Sequence, residues 1–182
     1  MGKRSDGTFQ RRPNDDYCTP WEAVPPLIPH LRGVRTFSEP CAGRRKLVGH
    51  LISLGLVCVY QNDITWADCR VDGVSGDALQ FIGTMGCDAI ITNPPWSRHL
   101  LHPMIERFGS IAPTWLLFDA DWAHTRQAAP YLDYCSHIVA VGRLKWIENS
   151  PHTGKDNVCW YRFFGQHAGG PRFFGRQQET KP

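Results

Sequence analysis

Three short apolar runs constrain this chain most: Leu56–Tyr60, Ala89–Thr92 and Trp115–Phe118. Each is continuous rather than alternating, which is the pattern of a strand buried on both faces. Between them lie stretches with helical periodicity. Lys46–Leu54 places Leu47, Val48, Leu51, Ile52 and Leu54 on one stripe and stops at Gly55. Leu100–Phe108 reads as a second helix, and His124–Leu132 as a third, interrupted by Pro130. Val34–Phe37 is a strand candidate near the start. Ile138–Val141, Leu144–Ile147 and Val158–Phe163 form a closing set of strands near the end. Strands that alternate with helices predict an α/β domain with a mostly parallel sheet.

The chain has 182 residues, enough for one substantial core. The expected organisation is a polar, basic arm at 1–16, a folded domain at 17–168 and a polar tail at 169–182, both ends expected to be flexible. No apolar run reaches the roughly 18 residues of a membrane helix, so no membrane partner is expected. The opening MGKRSDGTFQRRPNDD has no apolar stretch of the kind a secretory leader needs. Seven cysteines are scattered without a Cys-x-x-Cys pair, which favours free thiols in a reducing cytoplasm over disulfides or structural zinc. His99 and His102 have helical spacing but no third ligand near them in sequence, so no metal is expected. The net charge is only +3, but the positive residues cluster at Lys3, Arg4, Arg11 and Arg12, at Arg44, Arg45 and Lys46, and at Arg172, Arg176 and Lys181. Such clusters are either solvated segments or phosphate-contacting surfaces.

In an open parallel sheet, ligands bind beyond the carboxyl ends of the strands. That edge should carry Glu39 to Gly43, Asp63, Asn93 to Trp96, and Asp119, Asp121 and Trp122. The most informative of these stretches is Asn93-Pro94-Pro95-Trp96. The two prolines stiffen the turn and have no N–H, leaving carbonyls free to accept. Asn93 adds a side-chain acceptor, and Trp96 adds a flat apolar face. Paired acceptors beside a stacking surface suit a planar ring with an exocyclic NH2, such as a nucleobase amine. Holding both N–H bonds would localise a lone pair otherwise delocalised into the ring.

From about Tyr17 to Phe163 the sequence resembles the class I S-adenosylmethionine-dependent methyltransferases, and within them the small phage-type DNA adenine-N6 enzymes. FSEPCAG at 37–43 resembles the first cofactor motif, which implies cofactor contacts at Glu39, Pro40, Cys41 and Gly43. QND at 61–63 resembles the motif whose acid, here Asp63, binds the ribose hydroxyls. GDAL at 76–79 resembles the one that faces the cofactor adenine, here Asp77 and Ala78. NPPW is similar to the amino-methyltransferase signature, giving Asn93, Pro94, Pro95 and Trp96 as catalytic candidates, with Asn93 also next to the cofactor. YCTPW at 17–21 resembles an element that packs on the bound cofactor through Tyr17, Thr19 and Pro20, although Thr19-Pro20 would also suit the cap of a helix starting near Trp21. GRLKWI and NVCWYRF resemble the closing strands of the phage members.

The resemblance implies a Rossmann-like, mostly parallel seven-stranded sheet with an antiparallel closing strand and helices on both faces. It implies S-adenosyl-L-methionine as cofactor, DNA as partner more readily than RNA, and the cytoplasm of a bacterial or phage-infected cell. The expected reaction is methyl transfer to adenine N6 of a base flipped out of the duplex. Trp122 is a candidate second wall for that base, or a core residue. The loop ENSPHTGKD at 148–156 is a candidate DNA contact. One departure stands out: where the family has another small residue after Gly43, this chain has Arg44-Arg45-Lys46. Other readings are an RNA adenine or protein-glutamine methyltransferase, since both substrates present a planar NH2, or a catalytically silent binding module with this fold.

Overall fold

The computed structural model describes residues 17–68, 73–80, 86–148 and 150–176. Its strands are β1 (Thr36–Glu39), β2 (Val57–Asp63), β3 (Val74–Ser75), β4 (Ala89–Thr92), β5 (Thr114–Asp119), β6 (Cys135–Arg143), β7 (Asn157–Phe163) and β8 (Arg172–Phe174). The helices are α1 (Lys46–Ser53), α2 (Arg98–Ile111) and the single turn α3 (Ala129–Leu132), joined by several 3-10 turns. The strands form one sheet in the order β3-β2-β1-β4-β5-β7-β6-β8. Strands β1 to β5 pair in parallel, whereas β7 runs antiparallel to both β5 and β6. β8 adds to β6 in parallel. The sheet is thus mostly parallel with an antiparallel insertion, and it has eight strands rather than the expected seven.

Strand geometry sends successive side chains to opposite faces, so each central strand feeds two cores. On one face Phe37, Ile91, Trp115, Leu117 and Trp160 meet Leu47, Val48 and Leu51 of α1 and Ala23, Val24 and Leu27 of the N-terminal turns. On the other face Ile90, Leu116, Phe118, Tyr161 and Phe163 meet Leu101, Met104, Ile105 and Phe108 of α2. Burial of each large side chain stabilises the fold by roughly 1.5–3 kcal/mol. The indole of Trp160 donates to the Ala23 carbonyl at 2.7 Å, which pins the N-terminal turns across the first core.

Several expectations need correction. β2 is not buried on both faces: Val57 is 58% exposed. Outside it the sheet continues as the two-residue β3, and the described part of the connection is a 3-10 turn, Ile64–Asp68. Leu144–Ile147 is not a strand. It opens a loop closed by the Gly154 N–H donating to the Leu144 carbonyl at 2.7 Å. The expected helix at 124–132 reduces to α3, with Pro130 in its first turn, where a missing N–H removes no helical bond. Trp21–Ala23 is a 3-10 turn with Pro20 at its cap, and Thr19 makes no capping bond. The segment expected as a flexible tail contains β8. The arm at 1–16 lies outside the described residues.

Candidate active site at the carboxyl edge of the sheet

β1 ends in Glu39, and the chain then turns through Pro40 to Arg45 into α1. This turn is pinned to the end of β2. The Ala42 N–H donates to the Asn62 carbonyl at 2.8 Å, and the Gly43 N–H donates to Asp63 Oδ2 at 2.7 Å. The indole of Trp66 donates to the Gly43 carbonyl at 2.8 Å. Gly43 has φ 48°, a conformation that suits glycine, but Arg45 has φ 61° without being glycine. An arginine held there costs on the order of 1 kcal/mol, partly offset by its Nε donating to Gln61 Oε1 at 2.9 Å. The Arg45 side chain therefore lies along β2.

Asn62 and Trp66 are functional candidates that the sequence reading missed. Asn62 is buried, and its Nδ2 donates to the Pro40 carbonyl at 3.1 Å and to the Gly76 carbonyl at 2.9 Å. It thereby ties the β1 turn to the end of β3, next to Asp77 and Ala78. The available signal was an asparagine in the strand-end triplet QND, overshadowed by Asp63. Asp77 is exposed and accepts from the Leu79 N–H at 2.9 Å, so it opens its own turn, while Ala78 is buried.

Beneath the β1 turn, Glu39 is fully buried and its Oε2 has no partner. Burial, reinforced by the charge of Asp63, holds its carboxyl well above the usual range, and a backbone hydrogen bond from Val48 counters this only in part. Ser38 Oγ is also buried without a partner, and Thr92 Oγ1, at the end of the adjacent β4, is buried against the Cys41 thiol. Burial likewise pushes the Cys41 thiol up, with Glu39 and Asp63 adding to it, so Cys41 stays neutral and serves as packing.

After β4 comes the Asn93-Pro94-Pro95-Trp96 turn. Asn93 Nδ2 donates to the Tyr17 carbonyl at 3.4 Å, and the Trp96 indole N–H donates to Asn93 Oδ1 at 3.4 Å. Only one orientation of the amide satisfies both partners, so the pair fixes which end of Asn93 is the acceptor. The Trp96 ring stands edge-on to Trp146 at 5.7 Å, and Tyr17 lies 6.3 Å from Trp146. Tyr17, Trp96 and Trp146 make an aromatic wall beside Asn93. Trp146 was not foreseen as part of it, because its segment reads as a strand. Thr19, two residues after Tyr17, is buried, and its carbonyl lies 3.2 Å from His50 Nε2 on α1. The YCTP segment and the NPPW turn are thus in contact.

The β5 end contributes differently from expectation. Asp119 Oδ1 accepts from the Asp121 N–H at 3.0 Å and caps a 3-10 turn. Trp122 is a core residue rather than a second wall: it is buried against Phe118, Tyr161 and Phe163, and its indole N–H donates to His102 Nε2 at 3.0 Å. His102 accepts that bond as neutral imidazole, and desolvation holds its pKa below the ordinary value, with the Arg98 charge adding to this. Among the described residues no group of three His, Cys, Asp or Glu could hold a metal, and no helix is long and apolar enough to cross a membrane.

No protein-family model matches the sequence, and no curated protein is significantly similar to it. Solved structures do match. A provisionally assigned RNA methyltransferase from Pyrococcus horikoshii aligns with a TM-score of 0.54 at 15% identity, covering 81% of this chain and 86% of its own. A provisionally assigned class I S-adenosylmethionine-dependent methyltransferase from Listeria monocytogenes aligns with a TM-score of 0.53 at 9% identity, covering 86% of this chain and 64% of its own. A dimethyladenosine transferase from Plasmodium falciparum aligns with a TM-score of 0.50 at 14% identity, covering 76% of this chain and 59% of its own. The chain therefore spans less than two thirds of the length of the last two.

The residues present suit the methyl donor this fold implies. The unpartnered oxygens of Glu39 and Ser38 lie at the end of β1 beside β4, and the β1 turn, Asp63 and Asp77 converge on the same edge. Asp63 has limited capacity: its carboxylate already accepts from Gly43 N–H, Thr65 N–H and Thr65 Oγ1. A carboxylate offers about four lone-pair sites, which leaves room for about one further donor. The sheet order, the ligand edge beyond β1, β2 and β4 and these structural matches together show that the chain has the class I S-adenosylmethionine-dependent methyltransferase fold.

Proposed function

We propose that the chain methylates the N6 amine of adenine in DNA, using S-adenosylmethionine. The observation that carries this reading is the Asn93-Pro94-Pro95-Trp96 turn at the carboxyl end of β4, with the Asn93 amide oriented by Tyr17 and Trp96. S-adenosylmethionine, when bound, supplies an electrophilic methyl group on a sulfonium, a good leaving group. Glu39, the backbone of Pro40 to Gly43, Asp63 and Asp77 are the residues that would hold it. Asn93 Oδ1 and the Pro94 carbonyl accept the two N–H bonds of the target amine, which frees its lone pair. The same two acceptors stabilise the positive charge that develops on nitrogen, an electrostatic role. An amide is no base, so the released proton passes to solvent. Orienting the reactants supplies the larger part of the acceleration, roughly 7–11 kcal/mol in well-ordered sites.

The Trp96–Asn93 bond bears on this chemistry. Asn93 Oδ1 has two lone pairs, so accepting from the indole leaves one for the target N–H. The aromatic wall of Tyr17, Trp96 and Trp146 provides the apolar surface on which a flipped base can rest.

A second reading, methylation of adenine in RNA, is motivated by the likeness to a dimethyladenosine transferase and an RNA methyltransferase. Incubation with cofactor carrying a labelled methyl group, followed by separation of DNA, RNA and protein, tests both. Label in N6-methyladenine of DNA is the expected result, and label confined to RNA or to glutamine of protein refutes the DNA reading. Asn93→Ala should keep the fold and lose on the order of 10²–10³ in rate.

A further inference from the structure

The edge of the sheet opposite β3 is formed by β8, and it is both basic and aromatic. Phe173 is 65% exposed there. Beside it runs a groove of about 440 Å³ lined by Pro26, Pro29, His30, Phe173, Phe174 and Gly175. Phe174 forms a fixed wall: His137 stacks on it at 5.1 Å, His30 meets it edge-on at 4.5 Å, and the Arg172 guanidinium lies 4.8 Å from its centre. Arg176 lies over Gly142, where a Cβ would stand 3.3 Å from its Nη1. Two arginines, Arg162 and Arg172, act electrostatically on His137.

Exposed aromatic residues on an edge strand invite association and are usually avoided. A second copy of the chain is a poor occupant, because pairing two β8 edges would oppose Arg172 and Arg176 of both copies, and like charges facing across strands repel. Cations around a flat apolar ring instead complement a polyanion that carries flat bases. The direction also fits. β8 is parallel to β6, which runs parallel to β5 and β4 because β7 is antiparallel to its two neighbours. The carboxyl end of β8, followed by Arg176, therefore points toward the edge that holds Asn93.

We propose that β8 and its groove bind an unpaired stretch of DNA beside the target base, with Phe173 stacking on a base and Arg172 and Arg176 contacting phosphates. The proposal rests on the DNA reading above.

Fluorescence anisotropy with a short labelled single-stranded oligodeoxynucleotide tests it, on wild type, Phe173→Ser and the double variant Arg172→Gln/Arg176→Gln. Phe173→Ser should weaken binding roughly tenfold, the range for loss of one stacked base. The double variant should make the slope of log K against log salt shallower by about 1.4, or about 0.7 per phosphate contact on a single strand. Melting temperatures should match wild type, since all three side chains are exposed. If wild type binds DNA and both variants bind it equally with the same salt slope, the groove assignment fails while the DNA reading stands. If wild type binds no DNA at all, both fail. Tighter binding of an oligoribonucleotide, lost in the same variants, overturns the assignment to DNA. Wild type that is dimeric by light scattering, with Phe173→Ser monomeric, overturns it in favour of a second copy.

Discussion

Trp96 is where stability and chemistry can be separated. Its ring is partly buried between the two cores, and its N–H holds Asn93 Oδ1. A fully buried tryptophan costs about 3–5 kcal/mol when truncated to alanine. Half of that, about 2 kcal/mol, plus about 1 kcal/mol for the edge-on pair with Trp146, gives about 3 kcal/mol for Trp96→Ala. For a chain of this size that is a melting-temperature loss of about 6–12 °C. Trp96→Phe keeps a ring in place and removes the N–H. At 3.4 Å that bond is long, so about 0.5 kcal/mol and about 1–2 °C are lost. The amide of Asn93 then retains only the Tyr17 restraint, and kcat should fall severalfold with KM nearly unchanged. Circular dichroism melts of both variants and steady-state methylation of an adenine-containing oligodeoxynucleotide measure the two effects. If Trp96→Phe turns over like wild type, the indole N–H does not position Asn93. If Trp96→Ala melts with wild type, the ring is not part of the core.

Other outcomes follow from the same geometry. Gly154→Ala would place a Cβ 3.0 Å from Trp146 Cδ1 and 3.2 Å from the Leu144 carbonyl, so the Trp146 ring must move. A loss of about 1–3 kcal/mol in denaturant titration and a shifted tryptophan emission are expected. Asp63→Ala removes the acceptor for Gly43 and Thr65 as well as one for the cofactor, and should weaken S-adenosylmethionine binding at least about tenfold by calorimetry. His137 is held from its ordinary value near 6.5 down to about 4, by desolvation first and then by Arg162, His30, His167 and Arg172. A histidine whose folded value is lowered favours the fold while neutral. Its contribution is complete above about pH 6.5 and is lost as the pH falls toward 4. The melting temperature should decline through that window, and less steeply in His137→Gln.

The sequence showed the central sheet well at β4, β5 and β7, whose apolar runs, buried on both faces, leave few alternatives to a strand, whereas β1 carries polar residues and lies at Thr36–Glu39, two residues later than the expected Val34–Phe37. It misread the periphery. Val57 sits in an apolar run yet faces solvent, because β2 lies next to the edge of the sheet, a position that its own residues do not reveal. Leu144, Trp146 and Ile147 look like a strand because they are apolar, but Leu144 faces the core while Trp146 belongs to the aromatic wall. In the candidate site, turn chemistry was legible: Pro94 and Pro95 announce a stiff turn wherever they occur. Partners distant in sequence were not. That Asn62 would join Pro40 to Gly76, that Trp122 would bond His102, and that Tyr17 would orient Asn93 depend on which strands become neighbours.

The position of β7 has a consequence for how the chain reaches this state. β5 and β6 are not neighbours. Each pairs with β7, which enters between them from later in the sequence. Until Asn157–Phe163 has been made, β5 presents an open edge and both cores lack their largest late contributions, Trp160 and Tyr161. The β1-β4-β5 half can collapse early but cannot be sealed, and an open strand edge is where chains pair wrongly. Closure is therefore a single late, non-local event that should dominate the folding rate, which is the kinetic signature of high contact order. Substitutions at Trp160 that loosen its bond to Ala23 should then slow folding if the closing strand docks in the transition state, and speed unfolding if it docks afterwards.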